Sequence, residues 1–253
     1  MVSPKKHLGQ HFLTDLNIAR KVALSIQENA TEHIIEVGCG TGVLSEFLWE
    51  YYGSRVWCTD VDLESLIYLT KKHPEKANQI IEQDILSYDL EAIANPLTII
   101  GNYPYNISSQ IVFKVIDNHH LIETFAGMFQ KEVAQRLCAN TKTKAYGILS
   151  VLLQTFYETE YFFTIGPEAF NPPPKVKSGV ILATKKNTKL EVPYRFYKSI
   201  IKTAFGLRRK MLRNSLSSFH IQKIESTKYF TMRPEELSFV DFQDLAKQLY
   251  PHQ

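Results

Sequence analysis

Apolar positions along the chain follow two alternating rhythms, short continuous runs and stripes at three- and four-residue spacing. TDLNIARKVALSIQENA, residues 14–30, puts Leu16, Ala19, Ala23 and Ile26 on one face and predicts an amphipathic helix. HIIEV is a short apolar run stopped by GCGTG; VLSEFLWEYY then reads as helix, RVWCTDVD as a strand ending in acids, and LESLIYLTKKH as helix again. The alternation continues through NQIIEQD, the run PLTII with its corner GNYPYNIS, helical SQIVFKVIDNHH, and TFAGMFQKE leading into VAQRLCA. Strands separated by helices of about ten residues imply βαβ units, hence an α/β doubly wound domain with a mostly parallel sheet. YETEYFFTI and KSGVILATK break the rhythm, because GPEAFNPPPKV joins them without a helix; they are expected to pair antiparallel at one edge of the sheet. From about Lys185 strand character disappears. KKNTK reads as a linker, PYRFYKSIIKTAFGLRRKMLRNSLSSF as helix, and Ser238 with Asp241 as a capping box before FVDFQDLAKQLY. The expected division is a sheet domain at 1–185 and a small helical domain at 186–253.

Composition narrows the class. With 253 residues and 44% apolar content the chain can bury a real core and is not a disordered tail. No apolar run approaches the roughly 20 residues of a membrane span, and the start, MVSPKKHLGQHF, lacks the continuous apolar segment of a signal peptide, so a cytoplasmic protein is expected. Cys39, Cys58 and Cys138 are odd in number and scattered, without CxxC spacing or a matching His pair, which argues against disulfides and against a metal site. The net charge of +3 hides a division: residues 185–253 carry 14 Lys and Arg against 6 acids, residues 1–184 carry 15 against 20. A basic tail on an acidic body points to a polyanionic partner.

In open α/β sheets ligands sit beyond the carboxyl ends of the strands. After the first strand comes EVGCGTG, Glu36 to Gly42, where glycines at alternating positions let a ligand approach the backbone closely. An acid two residues ahead of GxGxG fits the cationic methionine end of S-adenosylmethionine at least as well as a pyrophosphate. The second strand ends at Asp60, placed to accept from ribose hydroxyls, while Asp62 reads as the cap of the next helix; the third ends at Asp84, placed to accept from an adenine amino group. The fourth ends in Asn102, Tyr103, Pro104 and Tyr105. There the Asn102 carboxamide oxygen and a nearby backbone carbonyl can each accept a hydrogen from an exocyclic amine while an aromatic ring stacks on the base. Two acceptors draw the amine out of conjugation, which frees its lone pair for attack on the methyl of a sulfonium. A plain N-cap at Asn106 or Ser108 would leave Asn102, Pro104 and Tyr105 unexplained.

KKHLGQHFL, EVGCGTG, GNYPYNIS, QKEVAQRL, YGILSVLLQ, FNPPPKVKSGV and RRKMLRNSL occur in the order found in the bacterial ribosomal small-subunit adenine dimethyltransferases, the KsgA/Dim group, which the chain resembles over nearly its whole length. The resemblance implies a Rossmann-like class I methyltransferase sheet with a helical C-terminal domain. It also implies S-adenosyl-L-methionine as cofactor and dimethylation of two adjacent adenines near the 3′ end of small-subunit rRNA in the immature 30S particle; a monomer is the default expectation and not part of what the resemblance implies. Position by position, it puts Gln10, His11 and Leu13 at the cofactor, with Gly38 and Gly40 in the glycine loop, Asp60 at the ribose, Asp84 at the adenine ring, and Asn102 shared with the catalytic corner. Pro104 and Tyr105 complete that corner, and Phe170 matches an aromatic expected over the other face of the target base. Many relatives carry Asn where His11 stands, and the corner's second position, often Leu, is Tyr103. Arg208, Arg209, Lys210 and Arg213 are expected to meet phosphates from about two turns of helix.

Rival readings are weighed on particular residues. A dehydrogenase of GxGxxG type is disfavoured by Val43 where the third small residue belongs, and a DNA adenine methyltransferase by Asn102 where an acid is usual. The related large-subunit methylase shares the corner, but FNPPPKVKSGV and FGLRRKMLRNSL favour the small-subunit enzyme. An RNA-binding assembly role needs only the basic tail.

Overall fold

The protein is described by a computed structural model, which covers residues 2–93, 95–219, 221 and 227–250. It divides into two compact units, residues 1–135 with 158–185, and residues 136–157 with 186–253.

The first unit opens with a short strand β1 (Phe12–Leu13) and helix α1 (Leu16–Leu24), capped by Asp15, whose carboxylate accepts from the Asn17 and Ile18 N–H groups. Strand and helix then alternate: β2 (His33–Val37), α2 (Val43–Tyr52), β3 (Val56–Asp60), α3 (Leu63–Lys72), β4 (Ile80–Glu82), β5 (Leu97–Asn102), α4 (Ser108–Asp117), β6 (Ile122–Gln130) and α5 (Lys131–Leu137). After α6 (Ile148–Phe156) come β7 (Tyr157–Ile165), the short β8 (Phe170–Asn171) and β9 (Ser178–Lys185). The strands form a seven-stranded sheet in the order β4-β3-β2-β5-β6-β9-β7, while β1 pairs antiparallel with β8 outside it. Pairing is parallel from β4 through β6, and β9 runs antiparallel to β6. The two strands expected to close one edge do lie side by side there, with the antiparallel β9 one place in from the rim. Parallel registers bring the ends of β2, β3, β4 and β5 to one edge, with Val37 opposite Thr59 and Gly101, and Asp60 opposite Glu82. β2, β5, β6 and β9 are buried along nearly their whole length, as central strands of a sheet covered on both faces are, whereas β7 at the rim alternates between buried and more exposed positions.

The second unit is helical: α6, α7 (Tyr194–Gly206), α8 (Leu212–Ser215) and α9 (Phe239–Leu249). Its core holds Tyr197, whose hydroxyl bonds Thr155 Oγ1 at 2.8 Å, and Tyr146, whose hydroxyl donates to Leu237 O at 3.0 Å. The capping box at α9 is present, with Ser238 Oγ accepting from the Asp241 N–H at 3.1 Å and the Asp241 carboxylate accepting from the Ser238 N–H at 2.9 Å. Two expectations change. Residues 136–157 group with the C-terminal helices and not with 1–135, because α6 is mostly apolar, buried along nearly its whole length, and packs against α7 and α9. The helix expected to run through Arg213 stops at Gly206; Leu207–Lys210 is a turn, since glycine is a poor helix former and its backbone is released there.

Candidate active site

The carboxyl edge of the sheet holds a cavity of about 210 Å³, lined by the Leu8–Phe12 arm, Gly38 and Gly40, Asp60, Asp84, and the 102–107 corner. Gly38, Gly40 and Gly42 all have positive φ, at 75°, 52° and 85°, which only glycine adopts freely. A Cβ on Gly40 would lie 2.9 Å from the Phe12 ring, so the arm's Phe12 packs against the bend too closely to leave room for a side chain at position 40. Several of the bend's N–H groups are spent within the protein: those of Gly38 and Cys39 donate to Thr59 O, that of Gly42 to Cys39 O, and that of Gly40 to Asp60 Oδ2 at 2.8 Å. Those donors are not left for a pyrophosphate. Instead the cavity offers two carboxylates, Asp60 and Asp84, and the apolar Leu86, acceptors and an apolar surface that fit the hydroxyls, amines and purine of S-adenosylmethionine. Asp60 also accepts from the Asp62 N–H; burial pushes its carboxyl up, against the pull of the N–H bonds it receives.

Asn102 is oriented by the arm. Its Nδ2 donates to His11 O at 2.8 Å, and because a carbonyl can only accept, the amide must present its NH2 there and its Oδ1 elsewhere. Oδ1 has no protein donor among the described residues. The His11 ring lies 2.7 Å through Nδ1 from Pro172 O, which puts the proton on Nδ1, and its plane is tilted 30° to the Tyr105 ring at 5.5 Å. Tyr105 is held in turn by Ser178 Oγ at 2.5 Å. Neither Asn106 nor Ser108 caps α4: the N-cap is Ile107, and the Ser108 hydroxyl donates to Tyr105 O at 3.1 Å. Gly9, Gln10, His11, Tyr105 and Asn106 also line a second cavity, about 620 Å³, walled by Pro172–Pro174 and edged by Lys6, Gln130 and Lys175.

Most of the sequence-derived residues therefore meet. Gln10, His11, Gly38, Gly40, Asp60, Asp84, Asn102, Pro104 and Tyr105 share the first cavity. Leu13 is buried beside a small void under the glycine bend. Phe170 does not reach either cavity. It is 3% exposed in the core, because its pairing with Leu13 across β1 and β8 turns the side chain inward while Asn171 faces out. Tyr103 is likewise core, its hydroxyl on Ala126 O and its ring against Phe125 and Phe129. In the second unit Arg208 is tied to Thr143 O and Lys144 O, each at 3.1 Å, whereas Arg209, Lys210 and Arg213 are exposed and have no ion-pair partner among the described residues. Sequence reading missed Lys5 and the reach of Asp62. Besides capping α3, Asp62 is ion-paired with Lys5 and accepts from Gln10 Nε2 at 3.0 Å; hydrogen bonds outweigh burial and hold its carboxyl at about 2. Contacts across more than 50 residues leave no local signal.

A mostly parallel sheet with a glycine bend, ordered strand-end acids and an amide corner at its carboxyl edge defines a class I methyltransferase. The model of the family described as ribosomal RNA adenine dimethylase matches residues 1–245. The ribosomal RNA small subunit methyltransferase A of Phocaeicola vulgatus is 45% identical over 98% of this chain and 90% of its own, and that of Flavobacterium johnsoniae 44% identical over 98% and 96%. The crystal structure of a dimethyladenosine transferase from Plasmodium falciparum superposes with a TM-score of 0.78 at 22% identity, covering 94% of this chain and 96% of that one. That of the 23S rRNA methyltransferase ErmE gives 0.68 at 21%, covering 93% and 99%; both are likenesses of fold. The chain belongs to the ribosomal RNA adenine dimethylase family. It is a methyltransferase with rRNA as substrate and S-adenosylmethionine as donor.

Proposed function

We propose that the enzyme dimethylates the N6 amines of two adjacent adenosines near the 3′ end of small-subunit rRNA, in the immature 30S particle, as a cytoplasmic monomer. The observation that carries this reading is the Asn102 amide, turned by His11 O so that Oδ1 is left to accept from an incoming amine. Gly38, Gly40, Asp60, Asp84 and the arm would hold the donor, which when bound supplies an electrophilic methyl on a sulfonium. The target base takes the second cavity, stacking on the aromatic corner of His11 and Tyr105. Asn102 Oδ1 and a corner carbonyl accept the amine hydrogens, freeing the nitrogen lone pair; Pro104 keeps the corner rigid. The same oxygen and the Tyr105 face stabilise positive charge as it grows on nitrogen. The alkylated nitrogen releases its proton to water, so no basic side chain is required, and one N–H remains for a second round. Arg209, Lys210 and Arg213 contribute phosphate contacts in the helical unit. Arg208 is set apart by its bonds to the 143–144 turn.

The test uses subunits from cells lacking the enzyme and S-adenosylmethionine with a labelled methyl. Immature small subunits should take up label recovered as dimethyladenosine, large subunits should not, and Asn102→Ala should bind subunits normally while losing about 10²-fold or more in kcat. Label confined to large subunits would overturn the substrate assignment.

A further inference from the structure

We infer that Asp62 is a positioning residue for the Asn102 amide, acting through the N-terminal arm that Lys5 and Gln10 latch onto it. The inference rests on the role assigned to Asn102 above.

Asp62 has more partners than a helix cap needs. The Glu64 N–H at 3.1 Å and Ser65 Oγ at 2.9 Å suffice to cap α3, yet Gln10 Nε2 and Lys5 Nζ, from the far end of the chain, also converge on this 3% exposed carboxylate. Lys5 Nζ lies 3.3 Å from Glu64 as well. Gln10 is gripped at both ends, since its Oε1 accepts from the Lys5 N–H at 2.8 Å. One peptide further on, His11 presents the carbonyl that orients Asn102. The next anchors are the His11 ring on Pro172 O and Thr14 on Ala169 O. Between Lys5 and His11 the arm forms a wall of the first cavity, and among the described residues no side chain but Asp62 holds Gln10 from outside the arm. A terminal amide torsion is broad and roughly two-fold. Without the His11 carbonyl in place, Asn102 can present its NH2 to the substrate amine as readily as its oxygen, setting donor against donor.

Asp62→Asn separates latch from cap. Asn caps a helix as well as Asp, so α3 keeps its first turn, but the neutral amide loses the charge pair with Lys5 and, with its oxygen kept on the Glu64 N–H, sets its NH2 against the donating Gln10 Nε2. The direct readout needs no turnover: the Asn102 side-chain NH2 resonance of the ligand-free enzyme, assigned by its loss in Asn102→Ala. In Asp62→Asn its exchange with water should quicken about tenfold or more, and kcat on immature small subunits should fall about tenfold with KM for the subunit unchanged. Lys5→Arg, which keeps a cation on Asp62, should stay close to wild type in both. An unchanged Asn102 resonance in Asp62→Asn would overturn the latch, and a faster exchange with kcat intact would overturn its coupling to catalysis. Wild-type enzyme that fails to label small subunits would instead refute the substrate reading, leaving the resonance to decide the latch.

Discussion

Glu36, 1% exposed on β2 beneath the glycine bend, accepts a bond from Cys58 Sγ, and burial pushes its carboxyl up to about 7. A folded-state value above the ordinary 4.5 means the native protein holds this proton longer than the unfolded chain does. The stability it contributes is complete below about 4.5 and is lost as pH rises through about 7. Glu36→Gln removes that titration. The melting temperature of the ligand-free variant should therefore decline less between about pH 5 and pH 8 than that of the wild type; equal declines would show that Glu36 ionises no differently in the two states. Asp62 has the opposite sign. Hydrogen bonds hold it at about 2, so its contribution is present above the ordinary 3.8 and is lost only as pH falls through about 2.

Among the elements, β6 makes a sharp local demand. Gly127 has φ of 139°, and a Cβ there would lie 2.2 Å from Gly101 O and 2.7 Å from the Tyr103 ring. Gly127→Ala should lower the melting temperature by about 5 °C or more, whereas Gly206→Ala, at the exposed end of α7 with nothing within 4 Å, should leave it nearly unchanged. Similar losses in both would mean that β6 is not so tightly packed. The same elements mark how much was legible in the sequence. The α/β alternation could be read because each strand was an apolar run closed by glycine or acids, and the glycine bend and Asn102 corner because their chemistry is local. The sequence does not reveal α6, since ILSVLLQTF is a short, mostly apolar run of nine residues, in which periodicity alone cannot tell a buried helix from a buried strand. Motif position points Phe170 at the target base, while its direction is set by a two-residue pairing with β1 that no local pattern encodes. Gly206 is the local mark of the end of α7, and the cations that follow it, compatible with helix by residue type, do not reveal the turn they occupy.

Over the whole molecule, charge is divided between an acidic body and a basic tail, and no helix among the described residues is long and apolar enough to cross a membrane. Each phosphate contact adds about 0.7–0.9 to the slope of log affinity against log salt. Replacing Arg209, Lys210 and Arg213 together by Ala should reduce the slope for subunit binding by about 2–3 and leave the melting temperature in place, because all three are exposed; an unchanged slope would remove them from the RNA interface. The central claim concerns one amide, and a structure of the enzyme with S-adenosylhomocysteine and an adenine-bearing RNA tests it most directly. The expected result is the target N6 about 3 Å from Asn102 Oδ1, with Nδ2 still on His11 O and the sulfur side of the cofactor at the Gly38–Gly40 bend. An amine turned away from Oδ1, or a cofactor seated elsewhere, would contradict it.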